Sequence, residues 1–167
     1  PVAFPVATNA LALAEGALQT EADTLATVTA RGGSTTEPVT IGSRCAEAVG
    51  VSSFANGEDV VASGAYSHAE GGSTTASEQF SHAEGHDTTA SGSYSHAEGY
   101  SATASGYYSH AEGGGTTASE QFSHAEGSGT TASGGSSHAE GLDTTASGYA
   151  SHASGFMSVA SNITAFA

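Results

Sequence analysis

Residues 88–101 read TTASGSYSHAEGYS, and the same pattern recurs from residue 67 onward. A histidine returns with a 14-residue period and no insertion, seven times in all, and six of the seven copies read Ser-His-Ala-Glu-Gly. Between these copies lies a second motif, Thr-Thr-Ala-Ser-Gly and its variants. Both motifs share the seven-residue half-unit [Ser/Thr]-x-Ala-x-Gly, so the sequence predicts a repeat protein built from 14-residue units.

Each half-unit alternates in the manner of a β-strand. Ser95 and Ala97 point to one side of an extended chain, whereas His96 and Glu98 point to the other. Glycine, serine and threonine are poor residues for the interior of a helix. Five extended residues and a tight glycine-containing turn, twice in each repeat, predict one coil of a β-solenoid. Only Ala, Ser, Thr and Gly face inward, so the two sheets are expected to lie close together.

The repeat extends beyond its clearest copies. Residues 53–57 occupy the Ser-His-Ala-Glu-Gly position, and residues 39–42 fit when one extra residue is allowed in a turn. Downstream, residues 158–161 and 165–167 are in register. We therefore predict an N-terminal arm or stalk and linker over residues 1–36. A β-roll of about nine repeats follows over residues 37–167, with its last repeat incomplete.

Composition alone indicates a disordered chain. Leu, Ile, Val and Phe total 22 of the 167 residues, and the net charge is -15 with only Arg31 and Arg44 as basic residues. The repeat reverses this conclusion, because small residues are what a narrow roll requires. The absence of a basic patch argues against nucleic acid as a partner. No apolar run is long enough to insert in a membrane, and the single Cys45 excludes a disulfide framework within the chain.

The expected core is thin. Between Ala62 and Ala153 the only large aliphatic residue is Leu142, so a single roll buries little apolar area at roughly 25 cal/mol per Å². Several chains packed around a common axis would supply the missing core. The alternative is a monomer held mainly by its backbone ladders and stacked side chains.

Residues 39–42 read Val-Thr-Ile-Gly, and residues 46–57 carry Ala-x-Ala-x-Gly followed by Ser-x-Ala-x-Gly. Together with the Ser-His-Ala-Glu-Gly array, these motifs resemble the YadA-like head of trimeric autotransporter adhesins. The resemblance implies a left-handed parallel β-roll of 14-residue coils, assembled as a homotrimer. In that family the outward positions of one strand are often Val and Ile facing the trimer axis. Here these positions are mostly His and Glu, so either polar layers fill the axis or a different face packs.

The N-terminal segment carries a second resemblance. Residues 23–36 read DTLATVTARGGSTT, which is similar to a linker found before β-rich trimeric modules in bacteriophage fibre proteins. Leu11, Leu18 and Leu25 recur every seven residues, which permits a short coiled-coil stalk. Residues 12–16 fit a degenerate solenoid coil instead, and residues 1–7, with two prolines, predict an extended arm.

The outward residues are expected to form rows up the stack of coils. The histidines of these rows are His68, His82, His96, His110, His124, His138 and His152, and the glutamates are Glu70, Glu84, Glu98, Glu112, Glu126 and Glu140. Carboxylates about 4.8 Å apart repel by roughly 1 kcal/mol in water. The glutamates therefore need neighbouring imidazoles that donate hydrogen bonds or become protonated, or cations that lie between them. One interpretation is a set of hydrogen-bonded layers that fix the register. The other is a site where three symmetry-related imidazoles of a trimer bind a transition metal or an anion.

Two further rows carry alternatives. An aromatic row lies two residues before the histidines and comprises Tyr66, Phe80, Tyr94, Tyr108 and Phe122. These rings are expected to cover the edge of the roll or a seam between chains. The alternative is a platform that binds a carbohydrate or a receptor. Thr89, Ser91 and their equivalents form a flat row of hydroxyl groups, which is the kind of surface that orders water. Ice binding is therefore a distinct hypothesis.

A hydrolase is disfavoured by geometry. Ser95 and His96 are adjacent in a strand, so their side chains leave on opposite faces, and seven equal copies contradict a single active site. We expect no catalytic residue and no cofactor.

The sequence therefore predicts a non-enzymatic structural and adhesive segment of a trimeric extracellular fibre, on a virion as a phage tail or head fibre or on a bacterial surface as an adhesin. Its partner is itself, as a homotrimer, with a cell-surface receptor or carbohydrate as a candidate ligand. An ice-binding or metal-binding β-solenoid is the alternative.

Overall fold

The computed structural model describes residues 39–41 and 50–167. The chain separates into two units, Pro1–Thr35 and Thr36–Ala167, and the described residues all belong to the second. The arm, stalk and linker predicted for residues 1–36 therefore lie outside the described residues.

Each coil of the described chain contains one long and one short β-strand. The long strands are β1 Val39–Ile41, β2 Phe54–Glu58, β4 His68–Gly72, β6 His82–His86, β8 His96–Tyr100, β10 His110–Gly114, β12 His124–Ser128, β14 His138–Leu142 and β16 His152–Phe156. The short strands are β3 Val61–Ala62, β5 Thr75–Ala76, β7 Thr89–Ala90, β9 Thr103–Ala104, β11 Thr117–Ala118, β13 Thr131–Ala132, β15 Thr145–Ala146 and β17 Val159–Ala160. No helix occurs within residues 39–41 and 50–167.

The long strands form one nine-stranded parallel sheet and the short strands form one eight-stranded parallel sheet. From β2 onward every strand pairs with the equivalent strand of the next coil in a 14-residue register, as in His96↔His110. β1 pairs with β2 one residue further along, Val39↔Phe54, which confirms the extra turn residue expected there. The predicted all-β class and the parallel β-solenoid with 14-residue coils are thus confirmed, with about eight coils described.

The core is a narrow double layer of small side chains. The alanines of both strands are fully buried, and so is the serine that precedes each long strand, such as Ser95 at 1% exposure. Threonine holds the corresponding position before most of the short strands, as Thr88 does. The prediction that only Ala, Ser, Thr and Gly face inward was wrong in detail, because Val60 also points inward and is fully buried. It occupies the threonine position, so the roll accommodates a valine there.

The two halves of a coil are not equivalent, although the sequence predicts five extended residues in each. The second half contributes only two strand residues, as in Thr89–Ala90. Its pairing ends there because the chain enters a turn that Ser95 N closes by donating to the carbonyl oxygen of Gly92 at 3.1 Å. The other described coils have the equivalent bond, as in Ser81 N to the carbonyl oxygen of Glu78 at 3.1 Å. The turn takes the chain out of the ladder, so the short strand stops.

Positive φ angles recur at a fixed position near the end of the long strands. The glycine that follows each glutamate has a positive φ, such as +110° at Gly99. A Cβ atom at Gly99 would lie 2.3 Å from the carbonyl oxygen of Gly113 in the next coil. Glycine is therefore required at this position for two reasons, the φ angle and the close approach of the coils.

Candidate functional site

The long strands carry the predicted His and Glu rows on the outer face of the roll. The alternation of the strand buries Ala97 completely and leaves the residues on either side of it half-exposed, at 35% for His96 and 34% for Glu98. Parallel pairing in the same register from coil to coil then stacks identical side chains above one another. The structure therefore brings together all the histidines and glutamates that the sequence placed in these rows.

The imidazoles of the His row form one continuous stack. Successive ring centroids lie 4.5–4.9 Å apart with interplanar angles of 3–26°. Both ends are capped by phenylalanine, because Phe54 meets His68 edge-on at 4.9 Å and Phe166 meets His152 at 4.7 Å. Sequence reasoning missed these caps, although the signal was present. Phe54 and Phe166 each lie one full repeat from a histidine of the row.

The carboxylates of the Glu row lie beside the imidazoles. Within one coil, the distance between His Nε2 and Glu Oε2 runs from 3.6 Å in His68–Glu70 to 3.9 Å in His96–Glu98. Glu126 also approaches the next coil, with Oε1 4.0 Å from His138 Nε2. These separations exceed a hydrogen bond. The Nε2 atoms of all seven row histidines are buried and have no hydrogen-bond partner among the described residues.

Burial favours the neutral form of four of the stacked imidazoles. Desolvation lowers the pKa of His82, His96, His124 and His138 below the ordinary 6.5, and the charge of a neighbouring imidazole lowers it further. The nearby carboxylates act in the opposite direction but do not reverse the shift. These four histidines therefore favour the uncharged form at neutral pH.

Two neighbouring carboxyl groups of the Glu row influence each other's titration. A hydrogen bond between the carboxyl groups of Glu84 and Glu98 lowers the pKa of Glu84 and raises that of Glu98. The negative charge of Glu112 also raises the pKa of Glu98. Glu84 therefore loses its proton at a lower pH than Glu98 does.

Three groups of side chains in these rows have the composition of a metal site. In each group the ligand atoms lie within 4.8 Å of one another: His110–Glu112–His124, His124–Glu126–His138 and Glu84–His96–Glu98. The carboxylates border an open groove along the glycines of the same strands. One stretch of it, with a volume of about 360 Å³, is lined by Glu70, Glu84, Gly85, Glu98, Gly99, Glu112 and Gly113.

The aromatic row lies at a turn, where its residues adopt a left-handed backbone with φ of 55–59°. The rings stack with centroids 4.7–5.5 Å apart, in the order Tyr66, Phe80, Tyr94, Tyr108 and Phe122. Stacking compensates the strain of bulky residues at positive φ. Because the ring faces cover one another, mainly ring edges remain for solvent. Tyr107 lies beside the row and does not stack in it. Its ring packs edge-on against Tyr94 and Tyr108 and is 43% exposed.

The Ser and His of each repeat are separated by the sheet. Ser95 is buried in the core and its hydroxyl has no hydrogen-bond partner in the described part of the chain, whereas His96 lies outside. A nucleophile and its base must be within hydrogen-bond reach and open to substrate. The adjacent Ser and His therefore do not form a nucleophile–base pair.

The hydroxyl row is narrower than the sequence suggests. Thr89 and Ser91 are both half-buried, but only Thr89 lies on a short strand, while Ser91 already belongs to the following turn. The flat part of this face therefore carries a single threonine row.

No model of a known protein family matches the sequence, and no curated protein is detectably similar to it. Among the described residues, no helix has the length and apolar character needed to cross a membrane.

Proposed function

We propose that this chain is a non-enzymatic structural and adhesive segment of a trimeric extracellular fibre. The observation that carries the proposal is unbroken repetition. From β2 to β16 each long strand pairs with the next in the same register. Nine strands at about 4.8 Å per coil form a stack roughly 40 Å long. A spacer or multivalent rod requires such regularity, whereas an enzyme requires one non-repeating constellation of polar groups.

The trimer is supported by the thinness of the core and by what remains outside it. Among the described residues, the buried side chains are Ala, Ser and Thr with the single larger Val60, while large apolar residues such as Phe156 and Tyr149 stay more than 60% exposed. A homotrimer would cover such residues and supply apolar area that one roll lacks. The resemblance to trimeric autotransporter heads supports the same assembly and a left-handed coil.

The location proposed is the surface of a virion or of a bacterial cell. The segment at residues 23–36 resembles linkers of bacteriophage fibre proteins, and the repeats resemble bacterial adhesin heads. A net charge of -15 keeps neighbouring fibres apart. A receptor or carbohydrate on a host cell would bind weakly at each coil and gain avidity from the repeated rows.

Light scattering coupled to size-exclusion chromatography tests the assembly. We expect three times the chain mass of 16.2 kDa at micromolar concentration. Small-angle scattering is expected to give an elongated particle. A monomeric mass at that concentration would refute the trimeric fibre.

Adhesion is tested separately with the labelled protein on intact bacterial and animal cells, and on arrays of immobilised glycans. A fibre with adhesive function is expected to bind one of these surfaces, and binding should weaken when the chain is shortened by whole coils. The shortened variant lacks residues 82–95 and 96–109, which are two whole coils, so the register of the remaining repeats is preserved. Unchanged binding by the shortened chain would contradict multivalent contact along the rows.

A further inference from the structure

The His and Glu rows contain overlapping sets of metal-ligand atoms within a single chain. Two of the sets with close ligand atoms consist of a histidine, the glutamate two residues later and the histidine of the next coil: His110–Glu112–His124 and His124–Glu126–His138. The third close set, Glu84–His96–Glu98, has one imidazole and two carboxylates. The repeat places a histidine, a glutamate and a histidine in each of the other intervals as well. We propose that these sets bind divalent transition-metal ions such as Zn²⁺ or Ni²⁺, with one ion held between two adjacent coils.

The distances within a set suit one ion. Glu126 Oε2 lies 3.8 Å from His124 Nε2, and Glu126 Oε1 lies 4.0 Å from His138 Nε2. Zinc bonds to nitrogen and oxygen are about 2.0–2.2 Å, so ligand atoms on one tetrahedral ion are about 3.4 Å apart. The His–Glu distances must therefore shorten by about 0.4–0.6 Å. The two imidazoles, stacked with centroids 4.7 Å apart and planes 3° from parallel, must also tilt so that both Nε2 atoms point at the ion. The neighbouring set His110–Glu112–His124 has the same arrangement.

The donor atoms are available for a metal. Each row Nε2 has no hydrogen-bond partner in the described chain, so coordination breaks no existing hydrogen bond of the protein. Two imidazoles and one carboxylate select zinc, nickel or copper, because calcium and magnesium prefer oxygen ligands. A bound dication would also reduce the repulsion between stacked carboxylates.

The open groove gives a cation access to the carboxylate of each set. The carboxylates line the open groove along the glycine positions, where no side chain covers them from that side, as at Gly113 and Gly127. A solvated cation can thus reach Glu112 and Glu126 without any movement of the backbone.

The overlap of the sets limits the number of ions. Seven histidines define six intervals between coils, and each interval contains one glutamate of the row. Every imidazole has a single Nε2 lone pair, so one histidine cannot complete two adjacent sites. Two ions in neighbouring intervals would also lie only about 4.8 Å apart and repel each other. At most three of the six intervals can be filled at once, so the geometry predicts three ions per chain.

The count is measured on the wild-type chain by native mass spectrometry and by calorimetric titration with ZnCl₂, after dialysis against a chelator. We expect three Zn²⁺ per chain and no comparable binding with CaCl₂. No bound zinc, or one zinc for each of the seven histidines, would overturn the proposal. This measurement needs no variant, so it remains decisive if an altered chain fails to fold.

Two triple variants with equal numbers of histidines test the pairing. The alternating variant His82→Phe, His110→Phe and His138→Phe leaves no two row histidines in adjacent coils. The block variant His68→Phe, His82→Phe and His96→Phe leaves four in succession. Phenylalanine is chosen because Phe54 and Phe166 already occupy this position at the two ends of the stack.

We expect the alternating variant to lose zinc affinity at least about tenfold, because altering even an outer-shell partner of a metal ligand costs about 10–100-fold in affinity. The block variant should retain two ions. His86→Phe is the matched control, because His86 lies outside the row with Nδ1 3.1 Å from Asp87 Oδ2. It should still bind three ions. Equal zinc binding by the alternating and block variants would overturn the proposal.

The metal-binding proposal and the trimeric-fibre proposal can be refuted separately. All donors of a set belong to one chain, so a monomeric protein would refute the trimer while leaving three ions per chain. A trimer without zinc would refute the metal sites alone.

Discussion

Replacing Gly99 by alanine is expected to break the stack of coils at its centre. The new Cβ would lie 2.3 Å from the carbonyl oxygen of Gly113, so the contact must widen by about 1 Å to reach ordinary van der Waals separation. Positive φ in a residue with a side chain costs about 1–3 kcal/mol. Separating the coils weakens two or three ladder hydrogen bonds, at about 1 kcal/mol each. The total is about 3–6 kcal/mol out of a stability of roughly 5–15 kcal/mol.

Gly155→Ala is the matched control for Gly99→Ala. Gly155 holds the same position in its coil with φ of +95°, but no described atom outside its own neighbours lies within 4 Å of the Cβ site. It therefore carries the cost of the φ angle without the cost of the clash. In thermal unfolding followed by circular dichroism, Gly99→Ala should melt roughly 4–12 °C below Gly155→Ala, since about 1 kcal/mol shifts Tm by 2–4 °C at this size. Equal melting temperatures would refute the close approach of the coils.

Three further predictions concern the rows and the core. Acidification of the metal-free chain should reduce the free energy of unfolding as the pH falls through 6.5 and below. The reason is that the pKa values of His82, His96, His124 and His138 are lowered in the folded state, so the unfolded state binds more protons in that pH window. The facing glutamates oppose this trend only in part. Urea unfolding at several pH values that showed no decline in the free energy of unfolding would contradict the prediction. Glu98→Gln should raise Tm at low salt, because Glu98 lies between Glu84 and Glu112, and the gain should fade in 1 M NaCl; a gain independent of salt would exclude charge repulsion as its cause. Thr116→Val should stabilise the fold by about 1 kcal/mol in urea unfolding, because the buried Oγ1 of Thr116 has no hydrogen-bond partner within the described chain. Valine already fits the equivalent position of another coil, at Val60. A loss of stability would show that the hydroxyl is hydrogen-bonded.

The fold was largely readable from the sequence. Alternation within Ser95–Glu98 indicated which side chains are buried, and the 14-residue spacing indicated which residues pair. The unequal lengths of the two strands were not readable, because both half-units carry the same [Ser/Thr]-x-Ala-x-Gly pattern. The difference arises because the chain turns after Ser91, where Ser95 N donates to the carbonyl oxygen of Gly92, and the shared pattern does not indicate where that turn begins.

The candidate site was readable in its membership but not in its chemistry. The spacing identified every histidine and glutamate of the two rows. It did not indicate that Nε2 is buried without a partner among the described residues or that Glu126 approaches imidazoles of two coils. Side-chain rotation decides these properties, and rotation depends on packing against neighbours above and below.

The sequence by itself determined the repeat, the strand alternation and the set of residues in each row. These are properties of spacing, since a side chain in an extended segment points to one face or the other according to its position. Only the tertiary structure decided how closely the coils approach, where the short strands end and which donor atoms converge. Those features arise when residues one repeat apart are brought to within about 5 Å, and the outcome then depends on hydrogen bonds and side-chain packing that no single repeat contains.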